Sequence, residues 1–397
     1  MEALQNHYYR LLHATKTTHF RYLYKQIRWH NRLVAIVGAR GTGKTTLMLQ
    51  HIKATFPDKS KALYASLDNI WFSQNTLLDL AEKFHAYGGT HLFLDEVHKY
   101  PNWSIEVKNV YDSFPDLHVV FTGSSMLKIY SSEGDLSRRA ISYSLAGLSF
   151  REFLLFENKL EVIPLALEEI LTDHVEFASE ITAEIKILPE FKRYLKHGYY
   201  PFYKEDIASY PMRLQNAINI ILENDLPAVE HVEYLSVQKI KKMLMVVASM
   251  VPFTPNIVNL SSEIETGRNA IVKYLDYLQK AGLILSLSSP KKNMGSMSKP
   301  DKIYLNNSNL LYALSDSSVN AGTLRETFFA NQLSVNHAVN TAMQGDFTVD
   351  KKYVFEVGGK GKGFKQIRDI KDSYVATDDI EIGYGCKIPL WLFGMTY

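Results

Sequence analysis

Residues 38–45 read Gly-Ala-Arg-Gly-Thr-Gly-Lys-Thr, preceded by the apolar run Leu33-Val34-Ala35-Ile36-Val37 and followed by Thr46-Leu47-Met48-Leu49-Gln50-His51-Ile52. That is a strand, a glycine-rich turn and a helix in immediate succession. Gly41 and Gly43 let the backbone curl so that successive N–H groups point inward, and a helix starting at Lys44 adds the positive end of its dipole to the same cavity. A chance glycine-rich turn would lack the flanking strand and helix. The cavity suits a polyphosphate, held by Gly38, Ala39, Arg40, Gly41, Thr42, Gly43, Lys44, Thr45 and Thr46. Lys44 is placed to reach the β- and γ-phosphates as a point charge, and the Thr45 hydroxyl to coordinate a bridging magnesium ion.

Outward from this loop, apolar runs at 33–37, 62–67, 91–94 and 117–122 alternate with helical stretches, the pattern of a parallel sheet covered on both faces. The third run ends in Asp95-Glu96, two acids at the carboxyl end of a strand, where ligands of open α/β sheets collect. Asp95 is expected to hold magnesium through water or through Thr45, and Glu96 to orient, or take a proton from, the water that attacks the γ-phosphate. The fourth run leads into Gly123-Ser124-Ser125, where a small polar side chain can sense that phosphate. Arg138 and Arg139 follow. They are candidates for neutralising the transferring phosphoryl group, within the chain or from a neighbouring subunit, with surface ion pairing as the alternative.

Together these motifs resemble the prokaryotic AAA-type P-loop ATPases. The resemblance is carried by the loop around Lys44, Leu94-Asp95-Glu96-Val97, and Thr122-Gly123-Ser124-Ser125. It extends to Tyr100-Pro101-Asn102-Trp103, Leu136-Ser137-Arg138-Arg139 and Leu148-Ser149-Phe150-Arg151-Glu152-Phe153. The resemblance implies ATP as the nucleotide, with magnesium, and gives Asp95 and Glu96 the metal and catalytic roles. Pro101 and Trp103 serve equally well as ordinary packing. There is no Asn-Lys-x-Asp guanine motif, so the preference for ATP rests on the resemblance.

Length and composition bound the rest. At 397 residues, two or three domains are expected. A net charge of +2 means that any nucleic-acid contact comes from a local patch. The single cysteine, Cys386, excludes an intramolecular disulfide and any cysteine-cluster zinc site. No run of about 18 apolar residues exists to span a bilayer, so the expectation is a soluble, cytoplasmic protein without a membrane partner.

The expected architecture is α/β: a P-loop parallel sheet (1–149), a helical lid (150–235), a winged helix-turn-helix (236–314) and a small nuclease-like α/β domain (315–397). In the lid, His197-Gly198-Tyr199-Tyr200-Pro201 marks a turn whose aromatic cluster suits core or interface. Residues 236–302 carry ten Lys or Arg against four Asp or Glu. Helical spacing at Ile271, Tyr274, Leu275 and Leu278, then two short strands around Lys291-Lys292, outline a winged helix. It contacts double-stranded DNA through the helix and Lys291, Lys292 and Lys299, or packs against a protein partner.

The last segment reads helix, strand, strand, then a helix near 364–370, with Asp346 and Glu356 on the strands. This resembles the restriction-endonuclease-like (PD-(D/E)XK) domain that commonly ends these ATPases, whose active members set an Asp and a Glu-x-Lys around magnesium. Here Gly358 stands where that lysine belongs, and Lys360, on the same face, lies two residues on. A degenerate fold kept for structure or recognition is expected. Either a DNA-directed machine or a slow, protein-binding nucleotide switch fits the whole, with a homo-oligomer as an open possibility.

Overall fold

The computed structural model describes residues 1–124, 136, 138–230, 232–290, 299–315 and 319–397. The chain divides into two compact units, residues 1–146 with 220–233, and residues 147–219 with 234–397.

The first unit contains α1 (Glu2–Ala14), β1 (Leu33–Val37), α2 (Lys44–Thr55), β2 (Ala62–Ser66), α3 (Leu77–Ala86), β3 (His91–Asp95), α4 (Trp103–Ser113), β4 (His118–Gly123) and β5 (Ile141–Ser144). The five strands form one sheet in the order β2-β3-β4-β1-β5 with every pairing parallel. Residues such as Val34, Ile36, Leu63, Phe93, Val119 and Phe121 are buried on both faces of the sheet, which is why these strands read as unbroken apolar runs. All four expected strands are present, β1 with its expected bounds and the other three with ends shifted by a residue; β5 carried no such run. A capping box of Thr76 and Asp79 starts α3. Glu106 of α4 braces it further, accepting from Leu77 N at 2.8 Å and from the Tyr100 hydroxyl at 2.9 Å. Trp103 packs on Phe121 with ring centroids 5.6 Å apart. The Tyr100–Trp103 stretch is therefore structural packing that fixes α3 and α4.

In the second unit, Phe150 packs on Phe191 and Tyr194, and both of those rings pack on Phe328 of the helix Ala321–Leu333. Residues 150–219, read from sequence as part of a lid, thus share a core with the carboxyl-terminal residues, while 220–233 cluster with the P-loop sheet. Tyr199, Tyr200 and Tyr203 are buried, and Asn309 ties this region together by accepting from Tyr199 N at 2.9 Å and donating to Leu195 O at 3.0 Å. The aromatic turn is core.

Helices Tyr234–Met250, Ile257–Glu263 and Arg268–Lys280 follow, then the antiparallel pair β6 (Ile284–Leu287) and β7 (Lys302–Leu305). Ile271, Tyr274, Leu275 and Leu278 are buried as their spacing indicates. Lys291 and Lys292 lie outside the described residues.

The chain ends in a mixed sheet of β8 (Val339–Thr341), β9 (Phe347–Val349), β10 (Tyr353–Gly358), β11 (Ser373–Thr377) and β12 (Lys387–Pro389), in the order β12-β11-β10-β9-β8. The helix expected near 364–370 is a run of turns instead. Glycines at 358, 359, 361 and 363 remove helix propensity ahead of it. The Ser373 hydroxyl donates to the carbonyls of Ile367 at 2.9 Å and Ile370 at 2.7 Å, closing the turns onto β11. No helix among the described residues is long and apolar enough to cross a membrane.

Candidate functional site

The site is built at the carboxyl ends of β1, β3 and β4. Gly41 and Gly43 take φ of 82° and 96°, the left-handed region that a glycine enters without strain, and α2 begins at the next residue. Gly38 is required for a different reason: a Cβ there would lie 2.5 Å from the Leu145 carbonyl oxygen. Arg21, from before the sheet, buttresses the loop by donating to Thr42 O and, at 2.8 Å, to Ala146 O. Thr42 closes the turn by donating to Ala39 O at 2.9 Å. Gly41 and Thr46 are exposed.

Lys44 is buried at the centre. Its Nζ donates to Gly38 O at 2.8 Å and Ala39 O at 3.0 Å. Burial lowers its pKa, against the opposing pull of the Glu96, Asp95 and Asp225 carboxylates. A buried ammonium resting on two neutral carbonyls is prepared for a stronger anionic partner.

Asp95 is held from several directions. The Thr45 hydroxyl donates to Oδ2 at 2.5 Å, the Tyr64 hydroxyl donates to the same oxygen at 2.8 Å, and the Thr122 hydroxyl donates to Oδ1. Burial and the adjacent Asp95 carboxylate push the Tyr64 hydroxyl well above the usual phenol range, so it stays a donor. The Thr45 and Asp95 oxygens are hard donors lying together beside Lys44, and they fit a magnesium ion.

Glu96 turns off the strand with φ 53°, an uncommon conformation for a side-chain-bearing residue. Its Oε2 lies 3.3 Å from Lys99 Nζ, 3.6 Å from His98 Nε2 and 3.9 Å from Arg40 Nη1. Asp225, from the π-helical turn Ile221–Asp225, joins the group, with Oδ2 at 3.5 Å from Arg40 and Oδ1 at 3.6 Å from His98. Burial raises its pKa, but His98, Arg40 and Lys99 outweigh that and hold the carboxyl below its ordinary value. Arg21, Tyr64, His98, Lys99 and Asp225 all escaped the sequence reading. His98 and Lys99 adjoin the acid pair, but nothing in sequence links Tyr64 or Asp225 to it.

Ser124 is buried here and its N–H donates to His98 Nδ1 at 3.3 Å; Ser125 lies outside the described residues. The arginine pair is elsewhere. Arg138 is exposed, and Arg139 binds Asp112 through Nε at 3.1 Å and Nη2 at 3.2 Å. Arg139 precedes β5 and Asp112 lies at the end of α4, so both stand at the amino end of a parallel sheet whose carboxyl end carries Lys44. This corrects the in-chain half of the expectation: Arg139 cannot reach the loop of its own chain. Arg40, at 3.9 Å, brings a guanidinium to Glu96 within the same chain.

A second cluster lies in the carboxyl-terminal sheet. Glu356 is 2% exposed and paired with Lys362, whose aliphatic chain passes over Gly358: a Cβ on that glycine would lie 2.6 Å from Lys362 Cγ. Lys360 is exposed, and the lysine that meets Glu356 is Lys362. Asp346 accepts from Val357 N at 2.8 Å, and burial, with Glu326 and Glu356 nearby, pushes its carboxyl up to about 6. Glu326 accepts from Lys302 Nζ at 2.8 Å and the Tyr304 hydroxyl at 2.7 Å.

Against known proteins, a family model described as an AAA domain covers residues 30–154. These residues match an AAA domain, and the sheet with its glycine loop has the P-loop fold. A model for a domain of unknown function covers residues 188–321. Two uncharacterized proteins of Methanocaldococcus jannaschii match 64% and 65% of the chain at 28% and 25% identity. The matches span 56% and 57% of those proteins' own length. AMPPCP-bound DnaA from Aquifex aeolicus aligns over 65% of this chain and 85% of its own at 15% identity, with a TM-score of 0.26.

Proposed function

We propose that the protein binds Mg-ATP and hydrolyses it to drive a conformational change. The observation that carries this reading is Lys44, an ammonium buried among loop carbonyls within the field of Asp95 and Glu96. The loop N–H groups and Lys44 grip the β- and γ-phosphates. Magnesium, held by Thr45 and Asp95, neutralises phosphate charge when bound. Thr122 and Tyr64 fix the Asp95 carboxylate, Glu96 orients the attacking water, and Ser124 stands where the γ-phosphate is sensed. Arg138 and Arg139 act, if at all, on a neighbouring subunit's nucleotide. Steady-state hydrolysis by wild type, Lys44→Ala and Glu96→Gln tests the reading, with turnover expected to fall to a small residue in both variants while Glu96→Gln still binds ATP.

Lysines of the basic segment support a protein-facing role over DNA contact. Lys239 donates to Glu265 O and Lys242 to Glu263 O, each at 2.7 Å, and Lys280 pairs with Asp276 at 2.6 Å. The basic character is partly spent on internal ties, which favours a nucleotide-dependent switch that binds a protein partner; ATPase rates unchanged by duplex DNA are expected.

A second reading applies to the carboxyl-terminal sheet. Lys362 restores to Glu356 the lysine that Gly358 lacks, and the nearby carboxylates of Glu356, Asp346 and Glu326 are oxygen donors of the kind that magnesium takes in phosphodiester cleavage. Magnesium-dependent nicking of DNA, lost in Asp346→Ala and Lys362→Ala but kept in Lys360→Ala, is the result that reading requires.

A further inference from the structure

His98 stands between two carboxylates that come from distant parts of the chain. Its Nε2 is 3.6 Å from Glu96 Oε2 and 3.6 Å from Asp225 Oδ1. All three atoms are shut off from solvent, and among the described residues none makes an aligned hydrogen bond, although buried polar groups are almost always paired. The three lie within 4.8 Å of one another, a spacing that a divalent cation would bridge.

The other side of the ring decides between a cation and a proton. Ser124 N–H donates to Nδ1 at 3.3 Å. An amide N–H can only donate, so Nδ1 presents its lone pair and the single proton of a neutral imidazole sits on Nε2. A metal at Nε2 would require that proton to move to Nδ1, facing another N–H. Metal-bound histidines normally give the second nitrogen's proton to an acceptor, and among the described residues Nδ1 meets the Ser124 N–H instead. The cluster is a shared-proton arrangement: one N–H equidistant from two acceptors.

We propose that His98 and Asp225 are positioning residues for Glu96, with Asp225 the alternative acceptor that lets the Glu96 carboxylate swing onto the attacking water. This rests on the reading of Glu96 as the residue that orients that water. Glu96 Oε2 is surrounded by His98, Arg40 and Lys99, and turning away from them would strand a buried N–H. Asp225 takes up that N–H through Oδ1 and keeps Arg40 through Oδ2. Its location suits the task. Asp225 is 3% exposed between the buried Leu222 and Leu226, and it closes a π-helical turn, a local insertion that re-aims side chains and recurs at functional sites.

The test is a double-mutant cycle in ATP turnover, with thermal unfolding run in parallel to report folding. Asp225→Ala is expected to lower kcat tenfold or more with KM for ATP within about threefold, and Asp225→Asn, which keeps an acceptor oxygen, to recover most of the loss. Because Asp225 acts through Glu96, Asp225→Ala added to Glu96→Gln should reduce residual turnover no further. Equal losses in both backgrounds, or an Asn variant no better than Ala, would overturn the proposal.

If wild type shows no turnover, the ATPase reading fails, and the proposal is then decided by NMR of ¹⁵N-histidine-labelled protein with the His98 signals assigned from His98→Gln. A proton on Nε2 that loses its protection in Asp225→Ala supports it. A proton on Nδ1 overturns it, as does one equivalent of Mn²⁺ bound at micromolar concentration in a Cys386→Ser background and lost in His98→Ala.

Discussion

Tyr64→Phe isolates one strand of the argument. The ring is 4% exposed inside the sheet, and its hydroxyl donates at 2.8 Å to Asp95 Oδ2, the oxygen that also accepts from Thr45. Phenylalanine preserves the packing and removes only that donor. A hydrogen bond to a charged group contributes about 1.5–3 kcal/mol. Asp95 keeps Thr45, Thr122 and the Glu96 N–H at 3.1 Å, so it is not left bare and the lower end applies, about 1.5 kcal/mol. For a unit of this size that corresponds to a fall of about 3–6 °C in Tm.

The same change loosens the carboxylate expected to hold magnesium, so affinity for Mg-ATP should fall about three- to tenfold, with affinity for ATP in EDTA unchanged. Urea unfolding followed by tryptophan fluorescence reads the stability term, since Trp29, Trp71 and Trp103 belong to this unit and only Trp391 to the other. A fluorescent ATP analogue titrated with and without magnesium reads the other. A stability change under about 0.5 kcal/mol, or an equal affinity loss with and without the metal, would refute the view that Tyr64 acts by fixing Asp95.

Gly38→Ala should cut nucleotide affinity at least tenfold, because its Cβ meets the backbone oxygen of Leu145 at 2.5 Å and the loop must shift; equilibrium binding of the same analogue checks this. The first unit should lose stability in acid. Burial, with a neighbouring histidine in each case, lowers His51 and His91 to about 4. Depressed pKa values mean that the unfolded chain binds the extra protons first, so their contribution is full above about pH 6.5 and is lost by pH 4, about 3–5 kcal/mol for the pair. Tm followed from pH 7 to pH 4.5 should fall, and His91→Gln should lessen the fall. Asp346 runs the other way. Its pKa is raised to about 6 from 3.8, so its stability contribution is present below the lower value and lost as pH rises through the upper. Asp346→Asn should therefore stabilise by about 1–2 kcal/mol at pH 7.5 after discounting for partial exposure, with the difference vanishing near pH 4 in denaturant titrations.

The P-loop sheet was legible because its inner strands are buried on both faces and so read as unbroken apolar runs bounded by turn residues. Strand β5 was missed because Ile141 and Ser144 are exposed at a sheet edge and leave no such run. The loop and the acid pair were legible because their chemistry is local: glycines, a lysine and a hydroxyl within eight residues, and two acids at one strand end. Long-range partners were not. Tyr64 is one more apolar-looking residue in a buried strand, and Asp225 lies 185 residues from the Arg40 it meets. At the carboxyl end, the alternation that put Lys360 on the face of Glu356 stops at Gly358, where β10 ends, and the chain loops back so that Lys362 arrives instead. Those same glycines leave turns where a helix was expected.

The central claim, that Lys44, Asp95 and Glu96 bind and hydrolyse Mg-ATP, is tested most directly by steady-state phosphate release from wild type, Lys44→Ala and Glu96→Gln. Magnesium-dependent turnover in wild type, reduced to a small residue in both variants while Glu96→Gln still binds ATP, is the predicted result. Turnover in Glu96→Gln that stays near the wild-type rate, or wild-type protein that neither binds nor hydrolyses ATP with magnesium present, would contradict it.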